Sequence, residues 1–361
     1  MSTTVAVIGG GYGGTTVAKE LDSFTDVVLV EPREDFVHHV AALRGLVDPE
    51  WTDRLFYPYA RLLERGRVLR DRAVSVDQDG VTLASGERLT PDYVVLATGS
   101  AYPFPAKIDF QDSASAKAKI RATREELAGA GKVLLLGAGP VGLELAGEIK
   151  AVWPEKAVTI VDPAKEILDG FPDEFREEIR RQLGELGVEL LLGTSLTEPP
   201  ASEPGQTKTF TSGLTGGGEV TADLWFQCYG GAPHTAYLDG SLASARQPNG
   251  QVEVTADLRL PGQPRVFALG DITALPEGKL AKVAGDHAEV VVANIRALIE
   301  GGDLRTHTPG GPMISLPLGP SGGATYAEEV GILDAATTAE IKGSHMMVSR
   351  YEELFGGVQG S

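Results

Sequence analysis

The chain has 361 residues, enough for two domains of ordinary size, and 42% hydrophobic residues make it globular rather than disordered. Its 32 Lys+Arg against 50 Asp+Glu leave a net charge of −18, which repels phosphate backbones and argues against nucleic acid as a partner. One cysteine, Cys228, excludes an internal disulfide, a Cys-x-x-Cys redox pair and a thiolate zinc cluster.

In chain order, Val5–Ile8 reads as a strand, Gly9 to Gly14 as a glycine turn, Thr15–Leu21 as a helix and Val27–Val30 as a strand ending in Glu31. That is one βαβ unit. Val81–Leu83 and the run from Asp92 into Ala97-Thr98-Gly99 read as further strands, and Pro103 with Pro105 marks a domain crossing. A second βαβ unit follows: strand Val133–Leu136, a turn from Gly137 to Gly142, a helix to about Val152, and strand Val158–Val161 ending in Asp162. Val141, Leu145 and Ile149 place one apolar stripe of that helix against a sheet. Pro172-Asp173 opens a helix that Gly187 stops, and Glu189–Leu192, Lys208–Thr211 and Glu219–Cys228 read as strands, with Pro199–Gly205 a loop. Val266–Asp271 is a short strand ending in Gly270-Asp271, followed by a helix over Val283–Glu300. From about Thr306 the pattern weakens into a small strand-and-loop unit.

No apolar run approaches the ~20 residues that span a bilayer. No secretory signal is read at the N-terminus, and Ser2 replaces the glycine that myristoylation needs. A cytoplasmic protein without a transmembrane segment is expected, with peripheral membrane contact and a homodimer left open.

Each glycine of the two turns has a physical role. Gly9 and Gly137 permit the tight turn off the strand, Gly11 and Gly139 let a pyrophosphate approach the backbone, and Gly14 and Gly142 let the helix pack on the sheet. The helix N-terminus then offers free N–H groups and a partial positive charge to phosphates. Glu31 follows Gly9 by 22 positions and Asp162 follows Gly137 by 25, near the ~20 at which an acid accepts from ribose hydroxyls. The residues between the glycines (Tyr12 and Gly13; Pro140 and Val141) are counted with the cradles, as is Gly230 just past the Glu219–Cys228 run. The pattern therefore predicts two dinucleotides. A carboxylate at Asp162 disfavours a 2′-phosphate, so NADH is expected there, with NADPH as the alternative. Hydride from NADH needs an acceptor, and FAD in the first cradle supplies one, its ribityl chain held by Asp271 and approached at Thr98 and Gly99. Taken singly, Asp271 is a helix cap, and no carboxylate–histidine spacing suggests a metal.

Together the two fingerprints, Ala97–Gly99 and Val266–Asp271 resemble the two-dinucleotide-binding flavoproteins of the pyridine nucleotide-disulfide oxidoreductase fold. Val30–Arg44, Pro154–Asp162, Lys279–Ile295 and the tail at Ile341–Arg350 resemble, more narrowly, the mitochondria-associated apoptosis-inducing-factor and ferroptosis-suppressor group, related to type II NADH dehydrogenases that reduce quinones. The resemblance implies an α/β fold of two Rossmann-like domains with parallel sheets and a small C-terminal α+β domain. It implies FAD-binding residues 1–106 and 240–305, NAD(H)-binding residues 107–239, and a C-terminal unit over 306–361. It also implies that Glu31 and Arg33 hold the adenosine end of FAD and that Val74 meets the adenine through its backbone. His38, Arg44, Lys282, Val283 and Ala284 would flank the isoalloxazine, Glu144 would stand where nicotinamide meets flavin, and Lys342 would reach in from the tail. The activity implied is transfer from NADH through flavin to a quinone or similar small acceptor. Transfer to a small iron–sulfur carrier and a redox-sensing interaction protein are the alternatives. Glu144 as a helix-dipole partner and Lys342 as a surface lysine are the plainer readings of those two residues.

Overall fold

In the computed structural model, residues 2–356 are described. The chain opens with β1 (Thr4–Ile8), α1 (Tyr12–Leu21), β2 (Asp26–Val30), β3 (Arg67–Leu69) and β4 (Tyr93–Leu96). Then come α2 (Ser113–Gly129), β5 (Lys132–Leu136), α3 (Pro140–Val152), β6 (Ala157–Asp162), α4 (Asp173–Glu185), β7 (Val188–Leu192) and β8 (Leu224–Gln227). β9 (Val266–Ala268) and α5 (Ala281–Glu300) precede β10 (Met313–Leu318), β11 (Gly322–Ala327), β12 (Gly331–Leu333) and α6 (Val348–Leu354).

The Val- and Leu-rich strands are buried on both faces, as parallel strands under helices must be. They form two parallel sheets in an α/β fold. The first has the order β9-β4-β1-β2-β3, so the chain leaves it after β4 and returns at β9. The second has the order β7-β6-β5-β8. In each, strand order reverses beside the strand that feeds a glycine turn, which opens a crevice at the carboxyl ends. The third sheet, β10-β11-β12, is antiparallel and packs its Ile314, Leu316 and Leu318 into the same core as α3 and the short helix Ala42–Val47. A Cβ on Gly147 of α3 would come within 2.5 Å of Leu318 Cα, so only glycine permits this close seating.

Three elements differ from the sequence expectation. The Glu219–Cys228 run is two strands: Glu219–Ala222 joins an antiparallel hairpin, while β8 joins the second parallel sheet. The break falls at Asp223, whose carboxylate accepts from the N–H groups of Gly131 and Lys132. α2 was not expected, because its buried stripe is only Ala116, Ile120, Thr123 and Leu127; the Asp112 side chain caps it by accepting from Ser115 N–H at 2.8 Å. The C-terminal unit, which its residue pattern alone reads as strands and loops, is α+β as the resemblance implies: it also holds a helical segment from Ala335 onward, including a wide π turn over Ala339–Gly343.

Candidate functional site

The first glycine turn leaves β1 with Gly9 at φ 103°, where a Cβ would sit 2.5 Å from Ala97 O at the exit of β4. A Cβ on Gly14 would strike Gly9 O, whereas one on Gly11 would meet nothing within 4 Å. The middle glycine therefore faces open space at the start of α1, the shape a pyrophosphate requires. Behind the turn, buried Glu31 accepts Gly10 N–H at 2.7 Å and pairs with Arg33 at 2.8 Å. Burial alone would raise its pKa, but the Arg33 guanidinium and these N–H groups hold the carboxyl below its ordinary value. Val74 lies in the strand Ala73–Asp77 with its side chain exposed.

The second turn repeats the plan. Gly137 has φ 117° and lies against Cys228 O at the end of β8; a Cβ on Gly142 would strike Gly137 O, and Gly139 faces open space. Asp162 accepts from Ala138 N–H at 2.6 Å and Ala164 N–H at 2.7 Å, and carries no cation partner among the described residues. Gly230, φ 101°, is exposed two residues past Cys228.

Between β4 and α5 lie the residues expected around a flavin. Thr98 donates to His234 O and meets the Tyr237 hydroxyl, and Gly99 O accepts His234 N–H. Asp271 Oδ2 accepts from Ser100 Oγ at 2.6 Å and Lys107 Nζ at 3.2 Å, while Oδ1 has no protein partner among the described residues. The start of α5 places Val283 and Ala284 inward and leaves Lys282 exposed, paired with Asp286. His38 is fully buried: Tyr12 OH accepts Val40 N–H and donates to Nδ1, and Nε2–H donates to Met346 O at 2.7 Å. Burial pushes the His38 pKa down to about 4, so the ring is neutral at pH 7.

On the second unit, Glu144 of α3 pairs with Lys342 Nζ at 2.7 Å, and Lys342 also donates to Ser315 O. Arg44 is held within the protein. Its guanidinium is buried, paired with Glu148 one helical turn past Glu144 and bonded to Gly343 O at 2.9 Å. Burial raises the Glu148 pKa against the opposing pull of Arg44. Glu148, Ser100 and Lys107 were not singled out in the sequence. Only Glu148 left a signal, an acid on the buried stripe of an apolar helix. A separate surface groove of about 510 Å³, near Thr4, Asp26 and Arg65, lies at the amino ends of β1 and β2, away from both cradles.

Two parallel sheets, each with a strand, a glycine turn and a helix at its crevice, have the architecture of a pyridine-nucleotide oxidoreductase. The chain belongs to the pyridine nucleotide-disulphide oxidoreductase family, which matches over residues 3–288, and is an NAD(P)H-dependent flavoprotein oxidoreductase. Within it, the chain is 30% identical to apoptosis-inducing factor homolog B of Dictyostelium discoideum, covering 96% of this chain and 95% of that one. It is also 30% identical to ferroptosis suppressor protein 1 of Homo sapiens, covering 88% and 87%. The fold is shared with sulfide:quinone oxidoreductase of Aquifex aeolicus, at TM-score 0.73 and 18% identity over 100% of this chain and 93% of that one. It is shared as well with NDH2 of Plasmodium falciparum solved with NADH, at TM-score 0.72 and 13% identity over 94% and 93%. The redox disulphide of the family's description has no counterpart in this chain. Cys228 is its single cysteine, and burial pushes the thiol up to about 12. Among the described residues no helix is long and apolar enough to cross a membrane.

Proposed function

We propose that the protein oxidises NADH with FAD as resident cofactor and passes the electrons to a quinone or similar small acceptor. The observation that carries this is the pair of turns in which Gly11 and Gly139 alone face open space while their flanking glycines are packed shut. FAD is held in the first cradle by Gly9, Gly11, Gly14, Glu31 and Arg33, with Thr98, Gly99, Gly270 and Asp271 along its length. NADH is held in the second by Gly137, Gly139, Gly142 and Asp162. FAD, when bound, supplies the two-electron acceptor for NADH and the donor for the second substrate.

The chain contributes position and charge. Asp271, fixed through Oδ2, offers Oδ1 to a hydroxyl. Asp162 accepts from ribose hydroxyls and repels a 2′-phosphate, which favours NADH over NADPH. Lys342 spends two donors on Glu144 and Ser315 O, so its ammonium retains a third N–H and a fixed positive charge for an electron-rich group. Arg44 and Glu148 clasp α3 and the tail to the loop after His38, and so hold Lys342 in place. No strong base is required, because hydride transfer is governed by geometry. A quinone-type acceptor is supported by the exposed apolar residues Ile341 and Met347 on either side of Lys342 in the chain, and by the acceptor in the name of the Aquifex aeolicus neighbour. The return of β9 to the first sheet supports a flavin unit of residues 1–106 and 240–305 around a nucleotide unit of 107–239, with 306–361 as the third.

Purified protein is expected to be yellow, to bleach with NADH under anaerobic conditions, and to recover its colour when a quinone is added. A colourless, folded preparation overturns the proposal. Bleached protein that ignores quinones but responds to a small iron–sulfur protein replaces the acceptor.

A further inference from the structure

α5 buries a polar residue on its apolar stripe. His287, between Ala284 and Ala288, has no exposed surface. Its Nδ1 accepts the backbone N–H of Gly270 at 3.0 Å, so the ring proton resides on Nε2. That Nε2–H donates to Glu277 Oε1 at 2.7 Å, and His307 Nε2 lies 2.9 Å from the same oxygen. The Glu277 side chain is 3% exposed. Burial opposes its charge, yet the two imidazoles hold the carboxyl below its ordinary value, and burial keeps His287 neutral. The three groups are close enough to surround a cation. A cation on His287 Nε2 would force the ring proton to Nδ1, where it would oppose Gly270 N–H, so the geometry is that of a hydrogen-bond lock.

Gly270, φ 70°, immediately precedes Asp271 and so sets the backbone direction into it. Without His287 its buried N–H would lose its partner, and the turn would lose the contact that sets its pitch. We infer that His287 is a positioning residue for FAD: it fixes the Gly270–Asp271 turn through Gly270 N–H, and Glu277 locks the tautomer that makes this possible. The inference rests on the reading that Asp271 holds the flavin.

Two substitutions separate the ring nitrogens. His287→Asn keeps an acceptor near the Nδ1 position, whereas His287→Gln keeps a polar group toward Glu277 and loses that acceptor. Two readouts apply: amide exchange at Gly270 in the flavin-free protein, and FAD titration of the same apoprotein. His287→Gln is expected to expose the Gly270 amide and weaken FAD binding about 10-fold or more, while His287→Asn keeps both within about 3-fold. Glu277→Gln, which frees the ring to change tautomer, is expected to weaken FAD in the same direction, about 3-fold. An exposed Gly270 amide with unchanged FAD affinity in His287→Gln overturns the inference and leaves the FAD reading standing. Equal losses in His287→Asn and His287→Gln also overturn it. A native apoprotein that takes up no FAD overturns both.

Discussion

The two glycine turns share a backbone and differ in what closes over them. In the first, Gly13 lies beneath α5, where a Cβ would meet Ala284 O at 2.9 Å and the Leu269 side chain. The matching position of the second is Val141, half-buried beside an exposed Pro140, so no element presses on that turn as closely. The carboxylates differ in the same sense. Glu31 is 2% exposed and paired with a cation, whereas Asp162 is half-buried and held by backbone N–H groups alone. On the proposed reading, a dinucleotide in the first cradle would be walled in by α5, and one in the second would face solvent and exchange. The same glycine spacing is thus closed over or left open according to what packs on its helix, which is the difference the proposal assigns to a resident cofactor and a transient substrate.

The comparison is tested most severely at its third glycines. Gly14→Val and Gly142→Val each drive a side chain into a carbonyl oxygen, and each is expected to cost its own nucleotide about 100-fold or more in affinity. The first should yield colourless protein. The second should yield yellow protein that NADH bleaches only at very high concentration, and matching behaviour of the two variants would end the distinction. Next in size, Lys342→Met leaves Glu144 without its cation and should slow anaerobic bleaching by about 10- to 100-fold at unchanged flavin content. Stopped-flow absorbance reads this, and an unaltered rate removes Lys342 from the mechanism. Asp162→Arg is expected to move the NADPH-to-NADH ratio of kcat/KM by about 10-fold toward NADPH; a fixed ratio would place the ribose elsewhere.

The smallest effect concerns acid. His38 titrates near 4 when folded, against about 6.5 in an unfolded chain. Between those values the unfolded state binds a proton that the native state refuses, so stability falls as pH drops from about 6.5 toward 4. One such group contributes a slope of about 1.4 kcal/mol per pH unit. Denaturant midpoints across that range should flatten by this slope in His38→Gln, and parallel curves would show that His38 is not the group responsible.

The parts of the site that were legible in the sequence are contiguous. Gly9 to Glu31 and Gly137 to Asp162 each encode strand, turn, helix and acid within one short segment, where spacing alone carries the geometry. Gly270-Asp271 was legible for the same reason. His287 left only a faint sign, a histidine among Ala284, Ala288 and Val291, and nothing local told that its partner was Gly270. The Arg44–Glu148 clasp joins residues 104 positions apart and Lys342–Glu144 joins residues 198 apart, distances at which periodicity says nothing. The helices of the tail leave no periodic signal because they are short and lack a long apolar stripe, so only the resemblance implies them.

By itself, then, the sequence determined two strand–turn–helix units on two parallel sheets, each with an acid after its second strand, because that device is local and written in a few consecutive residues. Tertiary structure alone decided which cradle is sealed, which cation meets which carboxylate, and how the tail reaches α3. Those outcomes depend on burial and on contacts between distant segments, and a buried charge takes its partner from whatever the completed packing brings within reach.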